Sequence, residues 1–394
     1  MSLIAVAGMP VARAEGPRPL KIVGTQIEDD RGHPVLLRGV NAACMEFTSD
    51  GQGHILDSVK TAIEDWHANI IRLPLSQDRW FGKAPEQTDG GVAYRALIAQ
   101  IVDTIEKHNC YVILDLHWSD ADQWGQHIGQ HLMPDENSIA FWKDFAPVYA
   151  NNPSVIFDLY NEPHDVPWIT WLEGGPVSET DRRTGVSQWY YAAGMQDVLD
   201  TIRSTGAKNV VIAGGLNWAY DMKGFLNGYQ LRDPEGNGVI YSNHFYTVKG
   251  ETIAQWIREL ETANKTIPVI LSEFGDNTFR RRARPAGAPA GGPPNFPPRP
   301  PGVPEGPPPN FPRRPQVDAY DWNKQVLDAC AKHGWSFVAW DFHTSAGPTL
   351  ISDWNYTPTP EFGALVKATL LGQPLPPKPD PTAPPPPADP TPNR

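Results

Sequence analysis

Residues 155–162 read Val-Ile-Phe-Asp-Leu-Tyr-Asn-Glu, a short apolar run rich in β-formers that ends on polar side chains. A run of this length and composition fits a strand buried on both faces, and its polar end marks where such a strand leaves the core. The same pattern returns along the chain: LLRGVN ending at Asn41, NIIRLPL at Leu75, YVILDLH at His117, NVVIAGG at Gly215, VIYSNHFY at Tyr246, PVILSEFG at Gly275 and FVAWDFH at His343. Segments of helical period separate the runs: 56–67, 92–107, 138–149, 186–204, 252–262 and 317–333, with a weaker fifth helix near 220–227. Alternating strand and helix signals predict successive βα units and a parallel sheet. Eight of them close a barrel, so the expected fold is α/β, a (β/α)8 TIM barrel. Before the first strand, KIVGTQIEDDRGHPVLLRG carries a turn-like Asp30-Arg31-Gly32 and is read as an N-terminal β-hairpin covering the barrel bottom.

The 394 residues accommodate one such domain, assigned to 15–372. The first residues, 1–14, end in Ala12-Arg13-Ala14 after a short apolar run, the pattern of a secretory signal cleaved after Ala14, so the protein is expected to be exported. A disordered tail is the plainer alternative. Residues 281–315 contain two near copies of one decad, GGPPNFPPRP and GPPPNFPRRP. Proline removes donors and sets φ, so this Pro-rich insertion is read as polyproline II or disordered, either a tolerated insertion or a basic arm touching substrate. The Pro-rich tail 373–394 is read as a spacer. A net charge of -12 leaves no basic footprint for nucleic acid or an anionic membrane, and no run reaches 18 apolar residues. Three cysteines are too few for a disulfide scaffold, and none lies in a CxxC. No assembly signal is present, so a monomer is expected.

In a barrel of this kind, reacting groups gather at the C-terminal ends of the strands. Glu162 ends the fourth run and Glu273, in Ser272-Glu273-Phe274-Gly275, ends the seventh, which places two carboxylates on roughly opposite walls of one mouth. Glycoside cleavage needs such a pair, one to protonate the leaving oxygen and one to act on the opposite face of the sugar. A single Glu at a strand end has a plainer reading as a salt-bridged or solvated side chain. So do Arg72 as a barrel ion pair, His117 and His244 as satisfied core histidines, and Tyr246 and Trp340 as core aromatics. Their convergence on one mouth favours a site.

Those residues resemble the active-site set of glycoside hydrolase family 5, and the resemblance runs from about Lys21 to Leu371, apart from the Pro-rich insertion. It implies Glu162 as acid/base and Glu273 as nucleophile, held by Arg72 and Tyr246. Asn161 is expected to bond the sugar 2-hydroxyl, His117 another hydroxyl, and His244 to lie near the acid/base. Trp340 is expected to floor the subsite of the sugar being cleaved. The resemblance implies no cofactor and no metal, a β-glucan polysaccharide as partner, and an endo-acting β-1,4-glucanase of the cellulase type. Arg72 beside Glu273 is expected to keep it anionic, and the charge of Glu273 to raise the pKa of Glu162.

Trp118, Trp124, Trp168, Trp171, Trp218 and Trp354 are further candidates for an aromatic platform under sugar rings, with Trp124 and Trp218 chosen among them. A metal-dependent barrel hydrolase could be imagined on Asp115, His117, His244 and His343, but its usual His-x-His at the first strand is replaced by Gly39-Val40-Asn41. A non-catalytic carbohydrate-binding protein would need neither Glu. A β-mannanase or mixed-linkage glucanase would share the same catalytic set.

Overall fold

The computed structural model describes residues 16–150, 152–180, 185–250, 252–276 and 317–380. The expected signal segment, the insertion 281–315 and the end of the tail lie outside the described residues. Eight parallel strands close a barrel in chain order: β3 Arg38–Asn41, β4 Ile70–Ser76, β5 Tyr111–Trp118, β6 Val155–Asp158, β9 Val211–Gly214, β10 Val239–Tyr246, β11 Val269–Gly275 and β12 Ser336–Ala339, with β12 pairing back onto β3. The expected (β/α)8 fold is therefore what forms. Strand residues are almost all buried, as continuous apolar runs require when helices cover one face and barrel side chains fill the other.

Two antiparallel strands precede the barrel, β1 Leu20–Val23 and β2 Gln26–Asp29. Leu20 and Ile27 join Leu37, Ile70, Tyr111, Ile113, Ile156, Ile212, Ile270 and Val338 in one apolar cluster that closes the N-terminal end of the barrel. The hairpin cover is thus present, but it turns at Gly24-Thr25. The expected Asp30-Arg31-Gly32 turn is a second one, in which Asp29 accepts from the amides of Arg31 (2.9 Å) and His33 (2.8 Å). A two-residue loop with Gly at positive φ matches strand twist better than the longer turn does.

The helices 92–107 and 319–333 lie close to expectation. Residues 186–204 do not form one helix: Ser187–Ala192 is strand β8, paired antiparallel with β7 Gly175–Thr180, and the helix begins only at Met195. The aromatic sequence Gln-Trp-Tyr-Tyr favours a strand, and alternation puts Tyr190 inward and Trp189 and Tyr191 outward. The hairpin β7–β8 stands on the loop that follows β6, on the same face of the barrel as the strand ends. The weak fifth helix is a single turn, Lys223–Leu226.

Packing around the barrel leaves little room at Gly39. A Cβ there would lie 1.7 Å from the carbonyl oxygen of Ile70 on the neighbouring strand. Because the obstacle is backbone inside a closed sheet, no side-chain rotation relieves it. Gly39→Ala is expected to destabilise the protein by about 3 kcal/mol or prevent folding, as overpacking in cores does. Urea unfolding followed by tryptophan fluorescence measures this, and a midpoint equal to that of wild type would contradict the packing described.

Candidate active site

Strand ends deliver the polar side chains, and Arg72 on β4 organises them. Its guanidinium is fully buried. Nη1 donates to Glu273 Oε1 at 2.6 Å and to Asn41 Oδ1 at 3.1 Å, Nη2 donates to Asn161 Oδ1 at 2.8 Å, and Nε donates to Asp158 Oδ2 at 3.0 Å. Asp115 Oδ2 lies 3.0 Å from Nη2. One cation therefore faces three carboxyl groups, from β5, β6 and β11. Burial pushes the carboxyls of Asp115 and Asp158 upward, Asp115 to about 7, with Arg72 working against that rise.

Glu273 is held from both sides, since Tyr246 Oη donates to its Oε2 at 2.6 Å while Arg72 occupies Oε1. Burial raises the Tyr246 phenol well above its ordinary pKa, so it remains a donor. Across the mouth, Glu162 Oε1 is 2.9 Å from His244 Nδ1, and His244 Nε2 is 2.8 Å from Ser272 Oγ. Burial lowers His244 to about 3, so the ring is neutral near pH 7 and carries one proton to share between Glu162 and Ser272. Glu162, His244 and Glu273 each place one ligand-type atom within 4.8 Å of the others. This trio alone, among the described residues, has metal-ligand spacing. The guanidinium 2.6 Å from Glu273 opposes a cation there. The imagined metal set is not assembled, because His343 bonds Gln52 at 2.8 Å while His117 pairs with Asp115 at 2.6 Å.

The proton affinity of Glu162 is raised, as expected, but for a different reason. Burial is the leading cause, and Lys249, His117, His164 and Arg72 act in the opposite direction. Arg72, which bonds Glu273, lowers the proton affinity of Glu162 and so works against the rise. Lys249 was missed by the sequence reading. It lies in the turn after β10, donates to Asn217 O at 2.5 Å and sits 5.3 Å from the ring centres of both Trp218 and Tyr220. Nothing in the motif HFYTVKG distinguishes this lysine from a solvated one.

His117 and Asn161 are locked by their neighbours. Burial lowers His117 to about 3, so the neutral ring donates from Nδ1 to Asp115 at 2.6 Å and accepts at Nε2 from Asn161 Nδ2 at 3.2 Å. Asn161 Nδ2 also reaches Gln130 Oε1 at 2.8 Å, and Gln130 Nε2 bonds the Glu162 carbonyl at 3.1 Å. Trp340 stacks parallel to His117, with ring centres 5.3 Å apart. Asn41 and Asp158 complete the ring of acceptors around Arg72, and Asn41 also ties β3 to Ser272 O at 2.9 Å.

The remaining tryptophans divide. Trp218 is half-buried, stacks on His164 with centres 4.4 Å apart, and lines a cavity of about 690 Å³ with Gln130, His164, Glu179 and Gln188. Trp124 is half-buried against the edge of Phe81. Trp171 is no platform: it is fully buried and donates to Gly214 O at 2.9 Å, and Trp168 packs on it and on Phe225. Trp354 stacks on His54 at 4.1 Å. Aromatic side chains fill the gaps between helices as readily as they flank clefts, and only packing separates the two uses.

The loop bearing Trp124 and Gln130 is pinned by buried carboxyls: Asp78 accepts from Gly125 N at 2.6 Å, and Gln77 Nε2 donates to Asp120 and Asp135, each at 3.0 Å.

The sequence profile of Cellulase (glycosyl hydrolase family 5) matches residues 28–286. The chain belongs to glycosyl hydrolase family 5. Among its relatives, Endoglucanase MaCel5A of Microbulbifer sp. (strain ALW1) is 25% identical over 266 residues, 66% of this chain and 45% of that protein. Endoglucanase E-5 of Thermobifida fusca is 24% identical over 280 residues, 69% of this chain and 51% of that protein. The chain thus spans about half the length of the curated relatives it matches. In fold it is similar to the β-glucanase SdGluc5_26A from Saccharophagus degradans in complex with cellotetraose, with a TM-score of 0.65, 21% identity, and coverage of 94% of this chain and 98% of that one.

Two stability predictions follow from the buried charges. Arg72→Met leaves Glu273, Asp115 and Asp158 without their shared cation, and breaking a buried ion pair costs roughly 3–5 kcal/mol; urea unfolding would show this as a large fall in midpoint, and a loss under about 1 kcal/mol would mean the network is dispensable. Separately, burial raises Asp115 to about 7, Glu46 to about 8 and Asp120 to about 9. A raised folded-state pKa means stability that is present below the unfolded value and is lost as pH climbs through the folded one. His117 and His244, both lowered to about 3, contribute stability that is present above the ordinary histidine range and is lost on acidification. The Tm measured by calorimetry is expected to fall steadily from about pH 6 to about pH 9; a Tm constant over that range would refute the assignment of protonated buried carboxyls.

Proposed function

We propose that this chain is a retaining, endo-acting β-1,4-glucanase, with Glu162 as acid/base and Glu273 as nucleophile. The observation that carries the reading is the approach of the two carboxyl groups, reactive oxygens within 4.8 Å, with Glu273 gripped by Arg72 and Tyr246. A close pair, about 5–5.5 Å apart, suits direct attack by one carboxylate, whereas water-mediated inversion needs about 6.5–9.5 Å. Glu273 attacks the anomeric carbon as Glu162 protonates the departing glycosidic oxygen, leaving a glycosyl ester on Glu273. Esterification removes the negative charge of Glu273. Lys249 and Arg72 then favour the Glu162 carboxylate, which takes a proton from water as that water attacks the same carbon and frees Glu273. Asn161, His117 and Trp340 form the wall and floor around the sugar being cleaved, and Trp124 and Trp218 flank it. The endoglucanase names of the relatives support a β-1,4-glucan as substrate.

Reducing-sugar release from carboxymethyl-cellulose, barley β-glucan and glucomannan tests the substrate. Preference for the cellulose derivative is expected, and preference for glucomannan would keep the mechanism and replace the substrate. Glu273→Ala and Glu162→Ala are each expected to lower kcat by about 10²–10⁴-fold or more. Azide separates the two roles: it should yield an α-glycosyl azide from Glu273→Ala and a β-glycosyl azide from Glu162→Ala. The reverse pattern would exchange the assignments, and full activity in either variant would remove that residue from the mechanism.

We propose export as well, resting on Ala12-Arg13-Ala14. No helix among the described residues is long and apolar enough to cross a membrane. Action as a monomer on a polysaccharide, with the Pro-rich segments 281–315 and 373–394 as appendages of a single catalytic domain, belongs to the same reading.

A further inference from the structure

The hairpin β7–β8 has two unlike faces. Its inner face, Val177, Tyr190 and Ala192, is buried in the main core. Tyr190 Oη accepts from Met133 N at 3.1 Å, Glu179 pairs with His131 at 2.8 Å, and Gln188 accepts from Gln123 Nε2 at 3.1 Å. These bonds fix the hairpin to the loop that carries Trp124 and Gln130, and Glu179 and Gln188 reach the cavity beside Trp218. The outer face consists of Pro176, Ser178, Thr180, Ser187, Trp189 and Tyr191, of which Ser178 and Thr180 also border the cavity beside Trp218. It bears no charge, although the chain carries -12.

Trp189 is 72% exposed and Tyr191 55% exposed, the only aromatics among the exposed large hydrophobics of the described residues. They stand two residues apart on one strand face, about 7 Å along it. An exposed tryptophan beside an exposed tyrosine on a rigid ribbon is costly in water unless something covers it. A flat, uncharged strip of two rings among hydroxyls fits the apolar C–H faces and hydroxyl edges of linked, neutral pyranose rings.

We propose that Trp189 and Tyr191 form an auxiliary polysaccharide-binding strip, separate from the cleft, that holds a second stretch of the β-glucan on the outside of the hairpin whose inside borders the cleft. The choice of occupant rests on the proposed substrate and on the continuity of this hairpin with the cleft wall. A strip here would keep a long or insoluble chain at the enzyme between cleavage events, and short oligosaccharides that fill only the cleft would gain little from it.

The full chain carrying Glu273→Ala, which prevents digestion, is mixed with insoluble cellulose and the bound fraction is measured with and without Trp189→Ala/Tyr191→Ala. A fall of about five-fold or more in affinity is expected, with Trp189→Phe/Tyr191→Phe keeping most of the binding, since flat rings remain. In the catalytically intact chain, the ratio of activity on insoluble cellulose to activity on a soluble cello-oligosaccharide should fall several-fold in the double alanine variant. Equal binding by wild type and double variant overturns the proposal. So does a shift from dimer to monomer in the double variant on size exclusion with light scattering, which would make a second copy the occupant. Binding that depends on the strip, in a chain that hydrolyses no β-glucan, would leave the strip standing and remove the proposed activity; hydrolysis with strip-independent binding would do the reverse.

Discussion

A guanidinium with no access to water must find acceptors for all its donors, and Arg72 finds them on β3, β5, β11 and at the end of β6. That demand ties non-adjacent strands together at the mouth of the barrel, and it fixes the position of Glu273 to within a hydrogen bond. The desolvation of such a charge is repaid only when the surrounding geometry is complete, so the network forms as a unit or fails as one. The polar mouth is therefore as much a folding element as a chemical one. Asn41 shows this, because its amide bonds Arg72 through one end and the backbone of β11 and β12 through the other.

The same burial sets the electrostatics of the two glutamates apart. Glu273 lies against the guanidinium of Arg72 and the phenol of Tyr246, each 2.6 Å from one of its oxygens. Glu162 lies across the mouth against a neutral histidine, where removal from water favours the protonated form. Two carboxyls of one residue type thus occupy unlike surroundings a few ångströms apart. The cation that tempers Glu162 comes from outside the strand-end set. Lys249 is held over two aromatic rings and a backbone carbonyl by a turn, and its effect on Glu162 is one of field and not of contact.

Around this centre the third and fourth βα loops are built to hold shape. Carboxyls at Asp78, Asp120 and Asp135 bind amides and Gln77 beneath the loop 119–135, and that loop in turn seats the hairpin β7–β8. Side chains on that loop, Trp124 and Gln130, therefore stand on packed supports. The cost appears in the pH dependence of the fold, since burial raises the pKa values of Asp78 and Asp120.

Local pattern was enough to read the eight strands and the residues at their ends, because a strand buried on both faces writes itself as an unbroken apolar run and polar residues can stop it only where it leaves the core. The (β/α)8 fold and the placing of His117, Asn161, Glu162, His244, Tyr246 and Glu273 toward strand ends were legible for that reason, while grouping them with Arg72 and Trp340 came from the family resemblance. Tertiary structure alone decided the rest. It made Trp171 a core residue and Trp218 a cavity wall, turned 187–192 from expected helix into strand, brought Lys249 toward Glu162, and made burial the leading reason that the pKa of Glu162 is raised. Each of these depends on which distant groups share a volume, and distance through space between loops is not encoded in the spacing of residues along the chain.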